Sequence, residues 1–370
     1  MNWRVTFRGV SSLSVRAAVI PTVMMLVVVL APAAGLAVES AGLGPLIKYG
    51  DPVPRDVRDM YDAGVRYLLK TQQPSGTWND SQSGPGVTGM AMMVLLASGE
   101  DPNHGPYRDA IRKALKSMID PQNAQTGFLS GEGGHDSMYQ HGFGMLALAE
   151  AYGAVDDRSL GAARSIGAAL ELAVRAAVTS AKSNPYGAWR YGPDAKDADT
   201  SVSGAVMMGL LAARNAGIEV PDETISRAIR YFVSMTGPNG QVGYSGSPGG
   251  GSDAVTSIAV LIEAIARKKD LPEYKRSLDY LKERSRSAAG AGEGYPAYTR
   301  YYRAQALFQG DVEAWEQWNA GLVRELKGMQ SKDGSFSGFA GRGGSGGTVD
   351  TALALLALAV NYKFLPVYER

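Results

Sequence analysis

The chain has no cysteine among its 370 residues. That excludes disulfides, thiolate metal ligands and any cysteine nucleophile. Stability must then come from a large packed core. Histidine is nearly as scarce, with three residues: His104, His135 and His141. Neither sign of charge is in excess, with 37 Lys and Arg against 36 Asp and Glu. A chain without basic excess has little with which to neutralise phosphates, which argues against a nucleic-acid partner. No Ser/His/Asp triad, phosphate-cradling loop or dinucleotide fingerprint stands out, and the glycine runs are too loose to count as one.

What is present begins with a distinctive N-terminus. Arg4, Arg8 and Arg16 precede an apolar run from Ala17 to Leu30, followed by the small residues Ala31, Ala33, Ala34 and Ala37. This pattern predicts a secretory signal peptide over 1–37, cleaved near Ala37. A retained membrane anchor is the alternative, and it would give membrane attachment through the same segment. Either way the remainder is expected to be exported, whether periplasmic, extracellular or membrane-anchored. Residues 38–53 read as a linker and 54–370 as one repeat domain.

The repeat is the strongest signal. Gln72, Gly76 and Trp78 form Gln-x-x-x-Gly-x-Trp, and Gln330, Gly334 and Phe336 repeat it with Phe in the last place. Weaker copies lie between them: Gly127-Phe128, Gly187-Ala188-Trp189 and Gly243-Tyr244. Each copy follows an amphipathic stretch and precedes a Gly-rich loop and a second, more apolar helix. The amphipathic stretches are Asp56–Lys70, Tyr107–Ile119, Ser159–Ala181, Asp222–Met235, Glu273–Glu283 and Val312–Met329. The apolar ones are Val87–Ala97, Ser137–Tyr152, Ser201–Ala213, Ala254–Ala266, Tyr298–Phe308 and Thr351–Val360. A helix apolar on every side must be buried among other helices, whereas an amphipathic one covers them. Strict alternation predicts an all-α fold of antiparallel hairpins, closed into a ring or left as an open solenoid. The fifth repeat is the weak point, because Ser285–Gly294 carries no clean Gly-x-aromatic. Thr88, Asp136, Asp199, Asp253 and Asp350 sit where they would cap inner helices. A ring would bring all those caps to one mouth, facing the positive ends of the helix dipoles.

The Gln-x-x-x-Gly-x-Trp phrase between two helices resembles the QW repeat of squalene and hopene cyclases. The alternating hairpins are similar to those of protein prenyltransferase β subunits, so the chain resembles the terpenoid cyclase and protein prenyltransferase superfamily. The resemblance covers about residues 54–365 and implies a single (α/α)6 toroid with an inner barrel of apolar helices. It implies that Gln72, Gly76, Trp78, Gln330, Gly334 and Phe336 are structural. It carries catalytic machinery over less completely. The acid motif of class II cyclases is Asp-x-Asp-Asp-Thr, and the matching text here is Asp197-Ala198-Asp199-Thr200, one aspartate short. The zinc site of the prenyltransferases needs a cysteine this chain does not have. His135 and Asp136, with Glu132 and His141 near in sequence, make at most an isolated pair, and no metal or cofactor is expected.

The candidate site residues follow. Asp197 and Asp199 are the candidate acids, with Asp199 also read as a helix cap. Trp189, Arg190, Tyr191, Tyr244, Asp253, Arg300 and Asp350 are the candidate ligand contacts, with Phe339 among the loop aromatics. Arg300 and Arg303 lie on an otherwise apolar helix and so need partners, either carboxylates or an anionic ligand. The expected function is a toroid that binds an apolar or polymeric ligand, or a protein partner, at its mouth. A terpenoid cyclase-like enzyme using an aspartic acid is the alternative, and a sugar-active (α/α)6 enzyme is a third.

Overall fold

The computed structural model describes residues 53–80, 84–129, 137–287, 295–337, 347–363 and 365. The N-terminal segment and linker, His135, Asp136, Glu132 and Phe339 all lie outside the described residues. Twelve α-helices run in order among those described: α1 (Arg55–Thr71), α2 (Pro85–Ala97), α3 (Arg108–Ile119), α4 (Ser137–Ala151), α5 (Ile166–Ser183), α6 (Thr200–Asn215), α7 (Asp222–Met235), α8 (Asp253–Ile265), α9 (Pro272–Ser287), α10 (Pro296–Gly310), α11 (Val312–Met329) and α12 (Gly347–Ala359). Extended structure among these residues amounts to an isolated bridge between Thr236 and Val242.

The even-numbered helices form the inner barrel. Each packs on the next, α2 on α4, then α6, α8, α10 and α12, and α12 returns to α2. The ring is therefore closed, and the molecule is an all-α (α/α)6 toroid. The inner helices are buried on all sides, as their uniformly apolar sequences require: α2 is buried from Gly86 to Ala97. The outer helices bury one stripe each, such as Val57, Met60, Tyr61, Val65 and Leu68 of α1. One expected boundary moves. The stretch from Ser159 holds a short 3-10 turn, Asp157–Ser159, and α5 starts at Ile166 with Ser165 as its cap. Gly161 has φ +63 and breaks the chain between them.

The repeated phrase ties neighbouring outer helices together. Gln72 Nε2 donates to the Gly76 carbonyl at 3.0 Å and to Ala110 of α3 at 2.9 Å. Gln330 Nε2 donates to Gly334 at 3.0 Å and to Met60 of α1 at 2.8 Å, which joins the last hairpin to the first. The glycine of the phrase needs φ +91 at both Gly76 and Gly334, and a Cβ there would run into the backbone carbonyl of the next outer helix, at Lys113 and Ala63. The indole of Trp78 is fully buried and donates Nε1–H to the Leu68 carbonyl at 2.7 Å. Gln72, Gly76, Gln330 and Gly334 thus join one outer helix to the next, and Trp78 anchors its loop to the helix before it.

Two further joints were not evident in the phrase. Gln122 Nε2 donates to Gly127 and to Ala169 of α5, both at 2.9 Å, making the same link with one extra residue before the glycine. In the fourth repeat the equivalent glycine is Gly240, at φ +84 against the Arg276 carbonyl, and the buried apolar residue two positions on is Val242. The copy assigned to Gly243-Tyr244 is therefore out of register, which frees Tyr244 to face outward. The residue two after each glycine has another constant partner. Its backbone N–H donates to a side chain in the first turns of the following inner helix: Trp78 to Thr88 at 3.4 Å, Trp189 to Ser203 at 3.0 Å, Val242 to Thr256 at 3.1 Å and Phe336 to Thr351 at 2.9 Å. In the second repeat the acceptor is His141 Nδ1, 3.3 Å from the Leu129 nitrogen.

Candidate functional site

Each inner helix starts at the same end of the barrel, and among the described residues the loop before α6 latches onto α4 there and the loop before α8 onto α6. The Tyr191 carbonyl accepts from Met138 N–H at 3.0 Å and from the Ser137 hydroxyl at 2.9 Å, at the start of α4. The Gly243 and Tyr244 carbonyls accept from the Thr200 hydroxyl at 2.6 Å and the Thr200 N–H at 2.9 Å, at the start of α6. Asn184, just past α5, donates to the carbonyls of Ala195 and Asp197, each at 2.9 Å, and holds the loop that carries Asp197. These backbone anchors stand Tyr191 and Tyr244 side by side, and their hydroxyls hydrogen-bond at 2.6 Å.

Arg190 completes the group. Its guanidinium lies 5.3 Å from the Tyr191 ring centroid and 6.0 Å from that of Tyr244. It pairs with Asp197 Oδ2 at 2.9 Å and sits 3.9 Å from Asp199 Oδ2. Tyr244 is 39% exposed, so this cluster reaches solvent at that tyrosine. The Asp197 side chain is 63% exposed, whereas that of Asp199 is completely buried.

Asp199 is the N-cap of α6. Its Oδ1 accepts from Val202 N–H at 2.8 Å and from the Ser201 hydroxyl at 2.7 Å, and Tyr244 Oη lies 3.4 Å from Oδ2. Burial raises the Asp199 pKa above the ordinary carboxylate value, and the hydrogen bonds and Arg190 only partly offset it. Tyr139 donates to Ser201, extending the chain of hydroxyls inward. Deeper in the barrel, Phe143 of α4 meets Tyr298 and Tyr301 of α10 at ring-centroid distances of 6.5 and 6.4 Å. These two helices are three places apart in a ring of six, so aromatic rings bridge the barrel axis below the mouth.

The remaining candidates separate from this group. Trp189 is buried, with Nε1–H donated to Ala177 at 3.0 Å, so it is a joint like Trp78 and does not line the mouth. Asp253 does not cap α8; Ser252 does. Asp253 instead accepts from Arg303 at 2.5 Å, Arg284 at 3.1 Å and Tyr280 at 3.2 Å. Arg303 is 1% exposed, so this ion pair satisfies a charge placed in the barrel wall. Arg300 pairs with Glu325 of α11 at 2.5 Å, toward the outer layer and away from the mouth aspartates. Asp350 is buried in the first turn of α12. Thr88 lies inside α2, whose N-cap is Gly84, and serves as the acceptor for Trp78. His141 is buried as well: Nδ1 accepts from Leu129 and Nε2 lies 3.0 Å from the Ala173 carbonyl, which fixes the neutral tautomer with its proton on Nε2. Burial pushes its pKa down to about 4.

A family model described as a domain of unknown function, DUF6288, matches residues 60–365. The chain belongs to that family. No curated protein matches it by sequence. Among solved structures, this DUF6288 toroid is similar to the type II terpene cyclase MstE from Scytonema, at 16% identity and a TM-score of 0.58, over 84% of this chain and 100% of the cyclase chain. A variant of the same cyclase in complex with geranylgeranyl dihydroxybenzoate matches at 17% identity and the same TM-score, over 84% and 98% of the two chains. An α-amylase from Clostridium perfringens matches at 13% identity and a TM-score of 0.58, over 83% of this chain and 99% of the amylase. A glycosidase variant in complex with glucose matches at 13% identity and 0.55, over 84% and 98%. At these identities the likeness establishes the (α/α)6 fold that DUF6288 shares with cyclases and glycosidases.

Proposed function

We propose that this chain is an exported binding toroid whose mouth holds a polymeric, hydroxyl-rich ligand on Tyr244, Tyr191, Arg190 and Asp197. The observation that carries the proposal is the Tyr191–Tyr244 pair clamped on Arg190, with Tyr244 39% exposed and the Arg190–Asp197 pair beside it. A sugar ring has an apolar face and a hydroxyl-bearing edge. The first stacks on tyrosine, and the second hydrogen-bonds to a fixed guanidinium and carboxylate. The buried acid next to them is engaged in the fold, because Asp199 accepts two hydrogen bonds as the cap of α6. The fold is also that of a glycosidase variant solved in complex with glucose. Export rests on the arginine-led apolar run and the small residues before Val38. Among the described residues no helix is long and apolar enough to cross a membrane. N-terminal sequencing of the mature protein separates a cleaved signal, with a start near Val38, from a retained anchor, with an intact Met1, and cell fractionation tests export itself: recovery in the cytoplasmic fraction contradicts it.

The binding test is a screen of soluble polysaccharides and oligosaccharides against the mature chain, followed by calorimetry of the best binder with Tyr244→Ala. Retention of at least one polymer, weakened at least tenfold in the variant, supports the proposal. No retained polymer, or equal binding by the variant, rejects it.

One observation favours a second reading, a terpenoid cyclase-like enzyme. Asp199 has a raised pKa and lies close to Tyr139, Tyr244 and Tyr298, an aromatic setting suited to a carboxylic acid that protonates an alkene. Incubation with linear isoprenoids and analysis by mass spectrometry separates the two. Cyclised product that is lost in Asp199→Asn favours the enzyme.

A further inference from the structure

The end of the barrel opposite the mouth carries a second feature. There the loop between α2 and α3 meets the loop between α4 and α5 around a cavity of about 300 Å³ lined by Asn103, His104, Arg108, Arg112, Asp156 and Arg158. Three arginines and a histidine thus line one hollow beside a single acidic residue. We propose that this cavity binds a doubly charged oxyanion, a phosphate or sulfate group, either free or as the terminal substituent of a larger molecule.

The two loops are built to hold the hollow in shape. Asn103 Nδ2 donates to the Ala154 carbonyl at 2.8 Å, and its Oδ1 accepts from Asp156 N–H at 2.7 Å, clamping one loop to the other. Asp101 Oδ1 accepts from the N–H groups of Asn103 at 2.7 Å and His104 at 3.2 Å, so that carboxylate is used to shape the loop. Asp157 accepts from Ile166 N–H at 3.0 Å and caps the far side. Asp156 is the lining acid. It takes a forked pair of bonds from Arg158, at 3.0 Å from Nε and 2.9 Å from Nη2, and Arg112 adds to the positive field around it. Asp109 is 3.7 Å from Arg108 and mostly exposed. Of these four carboxylates, Asp156 alone lines the hollow, beside three arginines.

The planar fork of arginine matches the oxygen spacing of phosphate and sulfate, and guanidinium gives up water more readily than ammonium does. Arg108 also opens α3, a helix of 12 residues, whose dipole adds positive potential at the same place. The Arg158 side chain is 89% exposed, so it can swing between Asp156 and an incoming anion without disturbing the core. The site lies at the other end of the barrel from Tyr244, so the two proposals stand independently.

The test is calorimetric titration of the mature chain with sodium phosphate and sodium sulfate at fixed ionic strength, with sodium chloride as the control. The variants are Arg108→Gln/Arg112→Gln and, separately, Arg158→Gln. Circular dichroism and the melting temperature confirm that each variant is folded, and Tyr244→Ala serves as a variant at the other end. The expected result is saturable one-site binding to the parent chain and to Tyr244→Ala, weakened at least tenfold in both arginine variants. A phosphate monoester such as glucose 6-phosphate distinguishes the sources. Tighter binding than inorganic phosphate marks a substituent as the ligand, and weaker binding marks the free ion, provided either depends on the arginines. No saturable heat in the parent chain, or equal affinity in the folded arginine variants, overturns the proposal.

Discussion

Replacing His141 by glutamine isolates one buried group whose charge state the fold dictates. In four repeats a threonine or serine hydroxyl receives the N–H that follows the glycine joint, and in the second repeat the imidazole Nδ1 of His141 takes that place. A protonated imidazole has no acceptor to offer, so acid turns the Leu129 N–H···Nδ1 bond into two donors facing each other. Burial lowers the His141 pKa to about 4, against about 6.5 for a free imidazole. The unfolded chain therefore binds a proton below about pH 6.5 that the native state refuses, and stability falls as pH drops from there toward about 4. At about 1.4 kcal/mol per pH unit, the full loss is about 3 kcal/mol. Urea unfolding of the parent chain and of His141→Gln at neutral pH and near pH 4 measures it. The variant is less stable at neutral pH by about 1–3 kcal/mol, through imperfect packing and hydrogen bonding. The gap closes by about 3 kcal/mol on acidification, because glutamine does not titrate. An unchanged gap between the two proteins across that range refutes the reasoning.

Other outcomes follow from the same physics. Glu263 is buried with neither carboxylate oxygen hydrogen-bonded, and burial followed by the charge of Glu273 pushes its pKa up to about 8. Its folded pKa is raised, so its favourable contribution is complete below about pH 4.5 and is lost as pH rises through 8. Urea unfolding should show Glu263→Gln overtaking the parent chain by up to about 5 kcal/mol between those limits, and parallel pH curves would contradict this. Gln330→Ala removes the bonds to Met60 and Gly334 that close the ring and should cost about 1–3 kcal/mol by urea unfolding, while an exposed-site control such as Glu316→Ala should stay within about 0.5 kcal/mol. Asp253→Ala removes the buried carboxylate that Arg303 and Arg284 share and should cost about 3–5 kcal/mol by the same assay, more than removal of an exposed pair such as Arg230 with Glu223.

Much of the ring could be read from the chain because its rules are local. The helices alternate in apolar character, and Gln72, Gly76 and Trp78 lie within one loop of one another. Where a joint departs from that spacing the pattern fails. Gln122 makes the same two bonds with one more residue in its turn, and Gly240 replaces the more conspicuous Gly243, because φ and the approach of Arg276 choose the glycine. His141 could have been recognised by its place in the Thr88, Ser203, Thr256 and Thr351 series, a positional signal once the register is correct. The site was legible in part. Arg190, Tyr191, Asp197 and Asp199 are close in sequence, and Tyr244 joins them from the next hairpin. The pairing of Arg300 with Glu325 and of Arg303 with Asp253 was not legible, because the first joins the inner and outer layers across 25 residues and the second joins two neighbouring inner helices across 50. For the same reason no local pattern pointed to the arginines around Asn103.

The decisive measurement concerns what happens to the ligand. The best oligosaccharide from the binding screen is incubated with the parent chain and with Asp199→Asn, and the recovered sugar is weighed by mass spectrometry. Asparagine caps a helix about as well as aspartate, so the variant stays folded and can be compared directly. A binding toroid in which Asp199 is a cap returns the oligosaccharide intact from both proteins, with similar affinity. Cleaved or rearranged product from the parent chain, lost in Asp199→Asn, would show that the buried aspartate is an acid and that the toroid is an enzyme.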